Sequence, residues 1–291
     1  MRELWVPLSG AIAQQQNIET IANNVANANT PGFKKDQLVF KEYLTILGKD
    51  QETPDLPRGE WKPGDFYRSQ GAEHGFVKSD GTYTLFNQGE LKQTGNPLDL
   101  AIWGNGFFEV LTPNGIRYSK KGIFSISKDG ELVTEQGFKV LTKIPEKDSA
   151  LEVENKVGSK AENKVESKAE SKIEDRAVKI GSNGSKITVT MEGEVHVDNA
   201  KIADLSLVEF KDIHALKKEG DSFYINIPEE NIIRSDIKAV IHQGFVESSN
   251  VEAVSEMSNL IKAHRNFESI QRAIKTYDAI SQRAVNDIAK F

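Results

Sequence analysis

The chain has no cysteine among its 291 residues. That removes disulfides, thiolate nucleophiles and thiolate metal sites, and it is compatible with any compartment. No stretch reaches the roughly 18 consecutive apolar residues of a membrane-spanning helix, so no membrane insertion is expected. Positive charge is not in excess either. The net charge is -6 and the pI near 5.6, with no basic stripe, which argues against nucleic acid or an anionic membrane surface as partner. The start of the chain lacks the basic region, apolar core and small-residue cleavage site of a secretory leader, so export without a cleaved signal peptide is the expectation.

Charge is scarcest near the N-terminus. Leu4 to Phe33 carries one charged residue, Glu19, in a chain that is 27% charged. Apolar residues recur at Leu8, Ala11, Ile12, Ile18, Ile21, Ala22, Val25 and Ala28, the spacing of a helix. The intervening positions are mostly Gln and Asn, where a solvated face would carry Lys and Glu. The pattern predicts a helix covered on several sides, in which amides such as Asn23, Asn24, Asn27 and Asn29 fix register at a cost in stability. Thr30, Pro31 and Gly32 stop it.

Its expected mate is the C-terminal segment from about Ser249 to Phe291, where Ser249 and Glu252 have the spacing of a capping box. With Leu260 at a, the a positions read Leu260, Phe267, Ile274, Ser281 and Ile288, and the d positions Ala263, Ile270, Tyr277, Ala284 and Phe291. Only Ser281 interrupts this seam, the pattern of a coiled-coil strand about 60 Å long. The bland alternative is a long surface helix packed on its own domain.

Residues 34–45 are amphipathic, a short helix or a strand, and 46–65 are rich in Gly, Pro and charge, an extended connector. Beyond Phe66, short apolar alternations are punctuated by turn signals, as in an all-β domain. Strands are expected near 83–86, 90–93, 98–102, 106–111, 115–119, 123–127, 131–134 and 138–143, with Leu98, Leu100 and Ile102 on one face and Asp99 pointing out. A second β run covers 178–245. Between the runs, an eight-residue repeat starts at Glu154, Glu162 and Glu170, and it would stack like charges at every i,i+4 step of a helix. This composition reads as a solvated spacer.

The expected fold class is therefore α+β, with long N- and C-terminal coiled-coil-type helices flanking a discontinuous, mainly β middle domain. The expected divisions are a paired helical domain at 1–45 and 246–291, the connector at 46–65, the β domain at 66–145 and 178–245, and the charged insertion at 146–177.

Little in the sequence asks for an enzyme. His74, His196, His214, His242 and His264 are scattered, none at ligand spacing to another. Glu192, Glu194, His196 and Asp198 alternate along one strand, an array that can attract a cation but more often marks the polar face of an edge strand. Gly104-Asn105-Gly106 resembles the start of a dinucleotide loop, yet Glu109 holds the third glycine position and strand follows, so a tight turn is the better reading. GxSxG, HExxH and P-loop patterns are missing from the sequence. No catalytic residue, cofactor, metal or small-molecule substrate is expected.

Three segments resemble the flagellar basal-body rod and hook proteins: ANNVANANTPGFKK at 22–35, TGNPLDLAIWGNGFFEV at 94–110 and SNVEAVSEM at 249–257. The resemblance implies a structural subunit for motility, self-assembling into a tube whose inner wall is lined by paired terminal helices while the β domain faces outward. Its implied partners are copies of itself, other rod proteins and the flagellum's own type III export apparatus, and its implied location is the periplasmic rod of the basal body. Where distal rod and hook members have a QRAYE-like segment, this chain has HRNFE at 264–268, which looks more like the proximal rod protein.

The assembly interface is assigned to Leu8, Ile18, Asn23, Asn24, Val25, Asn27, Leu260, Phe267, Ile270, Ile274, Tyr277 and Ile288. The alternatives are a distal rod or hook subunit, a rod-associated peptidoglycan hydrolase, and an export chaperone or adhesin built on a coiled coil. The LDLAI motif disfavours the last.

Overall fold

A computed structural model of the chain describes residues 5–45, 74–143, 176–181, 186–220, 222–234 and 237–288. The connector at 46–65, and the repeat as far as residue 175, lie outside the described residues. The architecture is α+β, an N-terminal and a C-terminal helix flanking a mostly β middle. It divides into two compact units, one of residues 1–26, 36–83 and 252–291 and one of residues 27–35 and 84–251.

In the first unit, helix α1 (Trp5–Ala26) runs antiparallel along helix α2 (Ala253–Ile288). Gln14 Nε2 donates to the Ala263 carbonyl at 3.2 Å, and a Cβ on Gly10 would sit 4.0 Å from Ile270 Cδ1. The buried positions of α1 are Ala11, Ala13, Ile21 and Asn24, so Ile21 is the one large apolar side chain among them. Strands β1 (Asp36–Thr45) and β2 (His74–Thr84) form a two-stranded ribbon in the same unit, with Val77 N donating to Ser9 Oγ of α1. Two helix boundaries differ from expectation. α1 ends at Ala26, because Asn27 to Thr30 already turn, with Thr30 N donating to the Asn27 carbonyl. Ser249 and Glu252 form no capping box. Ser249 Oγ accepts from Val251 N ahead of the helix, and the first helical turn closes from Glu256 N to the Glu252 carbonyl.

The second unit holds β3 (Leu91–Gln93), β4 (Leu100–Trp103), β5 (Phe107–Thr112), β6 (Gly115–Ser119), β7 (Phe124–Ile126), β8 (Leu132–Thr134) and β9 (Lys139–Val140) before the repeat. After it come β10 (Ile187–Val189), β11 (Glu194–Val197), β12 (Ala200–Asp204), β13 (Leu207–Phe210), β14 (Leu216–Glu219), β15 (Phe223–Asn226), β16 (Ile232–Ile233), β17 (Val240–Gln243) and β18 (Phe245–Glu247). The main sheet runs β14-β15-β6-β5-β9-β8-β7, with β13 pairing both β5 and β16, while β17 pairs β4 and β18 pairs β3. One apolar cluster gathers Leu100, Ile102, Phe108, Val140, Val195 and Ile241. A second is aromatic, with Phe107 set edge-on to Phe210 at 5.4 Å and to Tyr224 at 5.8 Å.

Three readings of this region are corrected. Asp99 is buried, bridged to Ile123 and held by Asn96 Nδ2 at 3.0 Å, because β4 is covered on both faces and has no solvent side to offer it. β11 is the central strand of β10-β11-β12, with Asp198 and Asn199 both at positive φ in its two-residue hairpin turn to β12. Its Glu194 and His196 share the polar face with Lys201, whose Nζ lies 2.6 Å from Glu194 Oε1, and no metal-holding group occurs among the described residues. Finally, Arg176 and Ala177 belong to the β fold. Ala177 is buried and bridged to Leu141, and Thr142 N donates to the Arg176 carbonyl.

Candidate assembly site

The seam on α2 turns from covered to bare along its length. Ala263 is buried, and Leu260, Phe267, Ile270 and Ile274 are half-buried on the stretch where α1 packs. Tyr277, Ile280 and Val285 are then 49%, 58% and 65% exposed. Of the α1 positions, Leu8 and Ile12 are exposed, Ile18 and Val25 half-buried and Asn23 exposed. Asn24 is the buried amide, and its partner lies within the chain. It donates to the Asp36 carbonyl at 2.7 Å and accepts from Asp36 N at 2.9 Å, joining α1 to the root of β1. Asn27, in the second unit, accepts from Thr30 Oγ1. Ile288 ends α2. The structure thus places Ala263 and Ile270 against α1, half-buries Leu260, Phe267 and Ile274 along the same seam, and leaves Leu8 and Tyr277 exposed.

A second feature was not legible in the sequence. In the β unit, Lys34 Nζ lies 2.5 Å from Glu247 Oε1, with both side chains fully buried, and it also donates to the Asn87 carbonyl at 2.8 Å. Glu247 Oε1 accepts from Gly89 N as well. Lys120, also buried, places Nζ on the Gly104 carbonyl at 2.7 Å and 5.5 Å from the Phe107 ring centre. Burial pushes both ammonium groups down from their ordinary value. For Lys34 it outweighs the charge and hydrogen bond of Glu247; Lys120 falls to about 8, with the charge of Lys34 adding to the effect of burial against that of Glu247.

The segment carrying Lys34 is locked residue by residue. Gly32 has φ +70°, and a Cβ there would meet the Lys121 backbone at 2.7 Å, so only glycine fits. Gly32 N donates to the Glu247 carbonyl. Phe33 is buried beneath the Lys218 ammonium, 3.7 Å from its ring centre. Lys35 N donates to Asn250 Oδ1, and Asn250 Nδ2 in turn donates to the Leu85 carbonyl. Residues from all three quoted segments therefore meet at one place: Phe33 to Lys35 from the first, Gly104 and Phe107 from the second, Asn250 from the third. Lys34 stood inside a quoted segment, but nothing in the sequence says that its ammonium is buried.

A third charged group lies deeper in the sheet. Glu109, without exposed surface, takes Arg176 Nη2 at 2.8 Å and Ser206 Oγ at 2.6 Å on Oε2, and Arg234 Nη2 at 2.9 Å on Oε1. Beside it, burial and then the Glu109 charge push the Tyr118 phenol up to about 12.

Comparison with known proteins adds the following. Residues 6–34 match the family model described as flagella basal body rod protein, residues 101–197 the flagellar hook protein FlgE/F/G D1 domain, and residues 242–287 the flagellar basal body rod FlgEFG protein C-terminal. The flagellar basal-body rod protein FlgG of Borreliella burgdorferi is 32% identical over 281 residues, covering 96% of this chain and 95% of its own. The protein of the same name from Bacillus subtilis is 30% identical over 299 residues, covering 98% of each. The flagellar basal-body rod protein FlgF of Caulobacter vibrioides is 29% identical over 287 residues, covering 99% and 98%. Lys34 lies in the first matched span, Lys120 in the second and Glu247 in the third.

Proposed function

This chain belongs to the flagellar basal-body rod protein family, and from that premise we propose that it polymerises through α1 and α2 into the wall of the drive-shaft tube that crosses the periplasm. It is a structural rod subunit of the basal body, and the relatives it matches are named as rod proteins.

The observation that carries the proposal is the pairing of a charge-poor α1 with the heptad seam Leu260, Ala263, Phe267, Ile270 and Ile274. A heptad seam facing a charge-poor helix supports packing of the coiled-coil kind, in which small and apolar residues let helices approach closely. Leu8, Ile18, Asn23, Asn24, Val25, Asn27, Leu260, Phe267, Ile270, Ile274, Tyr277 and Ile288 form or support the wall. The HRNFE segment at 264–268 supports a proximal position within the rod. Export through the flagellar secretion apparatus belongs to the same reading.

Ile274→Glu tests this reading. A carboxylate placed in an apolar seam is left without a partner, so basal bodies isolated from cells carrying it should lack the rod beyond this subunit, and the cells should be non-motile. The β unit's thermal transition should not move. Intact rods and normal swimming would show that the seam is not what holds the wall together.

A further inference from the structure

The two helices of the first unit differ in length, 22 residues for α1 and 36 for α2, or about 33 Å against about 54 Å at 1.5 Å per residue. Gly10 stands level with Ile270, so in an antiparallel pair Trp5 comes level with the stretch just beyond Ile274. The exposures fit this limit. Apolar side chains of the seam are covered up to Ile274, whereas Tyr277, Ile280 and Val285 are about half or more exposed. Tyr277 and Ala284 continue the d positions of the same seam, so the surface that α1 covers runs on past the end of α1. On α1 itself, Leu8 and Ile12 are 42% and 52% exposed. They lie four positions apart, on one face.

We propose that the free end of α2, at Tyr277, Ile280, Ala284 and Val285, docks on the Leu8–Ile12 face of α1 in a second copy of this chain. The inference rests on the rod-subunit reading and names the faces through which copies join. A second α1 is the occupant because Tyr277 and Ala284 continue, in the same heptad phase, the seam that α1 already covers, with Ile280 and Val285 flanking it. The segment from Leu4 to Ile18 also carries no charge, so Asp278 and Arg283 on the α2 end meet no like charge there. The two patches are different surfaces, so the contact is heterologous. A heterologous contact can repeat without closing, as a filament requires.

The natural chain has no cysteine, so introduced thiols report cleanly. The experiment takes full-length Ile12→Cys/Ile280→Cys protein in basal bodies isolated from cells, oxidised and run on a non-reducing gel. The expected result is a thiol-reversible ladder of dimers, trimers and longer species. Co-expressed Ile12→Cys and Ile280→Cys single variants should stop at dimers, and each single variant alone should stay monomeric. Leu8→Cys/Tyr277→Cys is the second pair, to be used should the first fail to assemble.

Within one chain, residues 12 and 280 lie more than ten positions out of register, roughly 15 Å or more, beyond the reach of a disulfide. A fast-migrating internally linked monomer therefore overturns the proposal. So do dimers from Ile280→Cys alone, which would mean a closed symmetric contact, and so does the absence of a ladder from both pairs in assembled rods. Whether the unsubstituted chain is found in isolated rods is read separately, and its absence there would overturn the rod-subunit reading itself.

Discussion

Lys120 holds its ammonium 3.9 Å from Glu247 Oε2, beyond hydrogen-bond distance, while Lys34 sits 2.5 Å from Oε1 of the same carboxylate. Two buried cations thus share one anion, and they share it unequally. Removing Lys34 leaves Glu247 with only the distant cation, and breaking a buried pair of this kind costs about 3–5 kcal/mol. Removing Lys120 takes away a surplus charge and leaves only the Gly104 carbonyl without its donor. We expect Lys34→Met to destabilise the β unit by that amount and Lys120→Met to cost under about 1 kcal/mol or to stabilise. Urea unfolding followed through Trp103, with Trp5 and Trp61 replaced by Phe, checks both. Equal losses would show that the lysines are equivalent.

The same node sets a pH dependence. Lys120 has a folded-state value of about 8 against an ordinary 10.5, lowered chiefly by burial, so between these values the unfolded chain binds more protons than the folded one. Stability therefore rises with pH across that window, by about 2 kcal/mol from pH 7.5 to 9.5. Lys34, also lowered, acts in the same direction. Above pH 10 the sign reverses, because the Tyr118 phenol, pushed up to about 12, stays neutral when folded while its unfolded counterpart ionises. Urea midpoints should climb from pH 7.5 to 9.5 and fall above 10. Lys120→Met should flatten the climb, and a midpoint that falls through pH 8–9.5 in the natural chain would contradict the argument.

Much of this architecture was readable because periodicity reports which face is covered. Strands β3 to β8 begin and end within a residue or two of the expected runs, whereas β9 stops three residues short of its run and the strand expected at 83–86 is instead the end of β2; Gly- and Asn-containing turns between the apolar alternations carry the agreement. Periodicity fails where both faces are covered, which is why Asp99 was placed in solvent. It is also blind to side chains that pair across long stretches of sequence. Lys34 with Glu247, and Glu109 with Arg176 and Arg234, are charged residues whose burial depends on a partner far away in the chain. Nothing local distinguishes them from surface charges. The seam on α2 was visible for the opposite reason: heptads are local, and Leu260 to Ile274 turn one face toward α1.

Two glycines should respond in opposite ways. Gly10, inside α1, has room for a Cβ at ordinary contact distance from Ile270, and alanine is the better helix former by about 0.5–1 kcal/mol. Gly10→Ala should raise the protection of α1 amides in hydrogen exchange by roughly that amount. Gly32→Ala combines a left-handed backbone, about 1–2 kcal/mol, with a clash against the Lys121 backbone that no side-chain rotation relieves. It should therefore cost the β unit more than about 2 kcal/mol in the same urea assay. An unchanged midpoint would mean that the loop from Asn27 to Lys35 is not held as described.

The boundary of the charged repeat gives a prediction that turns on two residues. Cutting at the end of the periodic sequence, after Ala177, would remove Arg176 and Ala177 with the spacer. Ala177 is packed and bridged to Leu141, and Arg176 ties Glu109 to the Thr142 carbonyl. Without Arg176 the buried Glu109 keeps Arg234 and Ser206 but loses one of its two cations, and removing one partner of a buried, hydrogen-bonded charge costs several kcal/mol. Cutting after residue 175 keeps the whole clamp, and residues 144–153 remain to join Lys143 to Arg176. That cut also shortens the closed loop about threefold, worth about 1 kcal/mol of closure entropy in favour of folding. The chain lacking 154–175 should therefore unfold at or slightly above the natural midpoint, while the chain lacking 154–177 should fall by about 3 kcal/mol or more. Arg176→Met in the full-length chain should reproduce most of the second loss, assigning it to the clamp instead of the spacer. If the two deletions behave alike and Arg176→Met is silent, Glu109 is adequately held by Arg234 and Ser206 alone, and the β fold ends where the periodicity of the sequence ends.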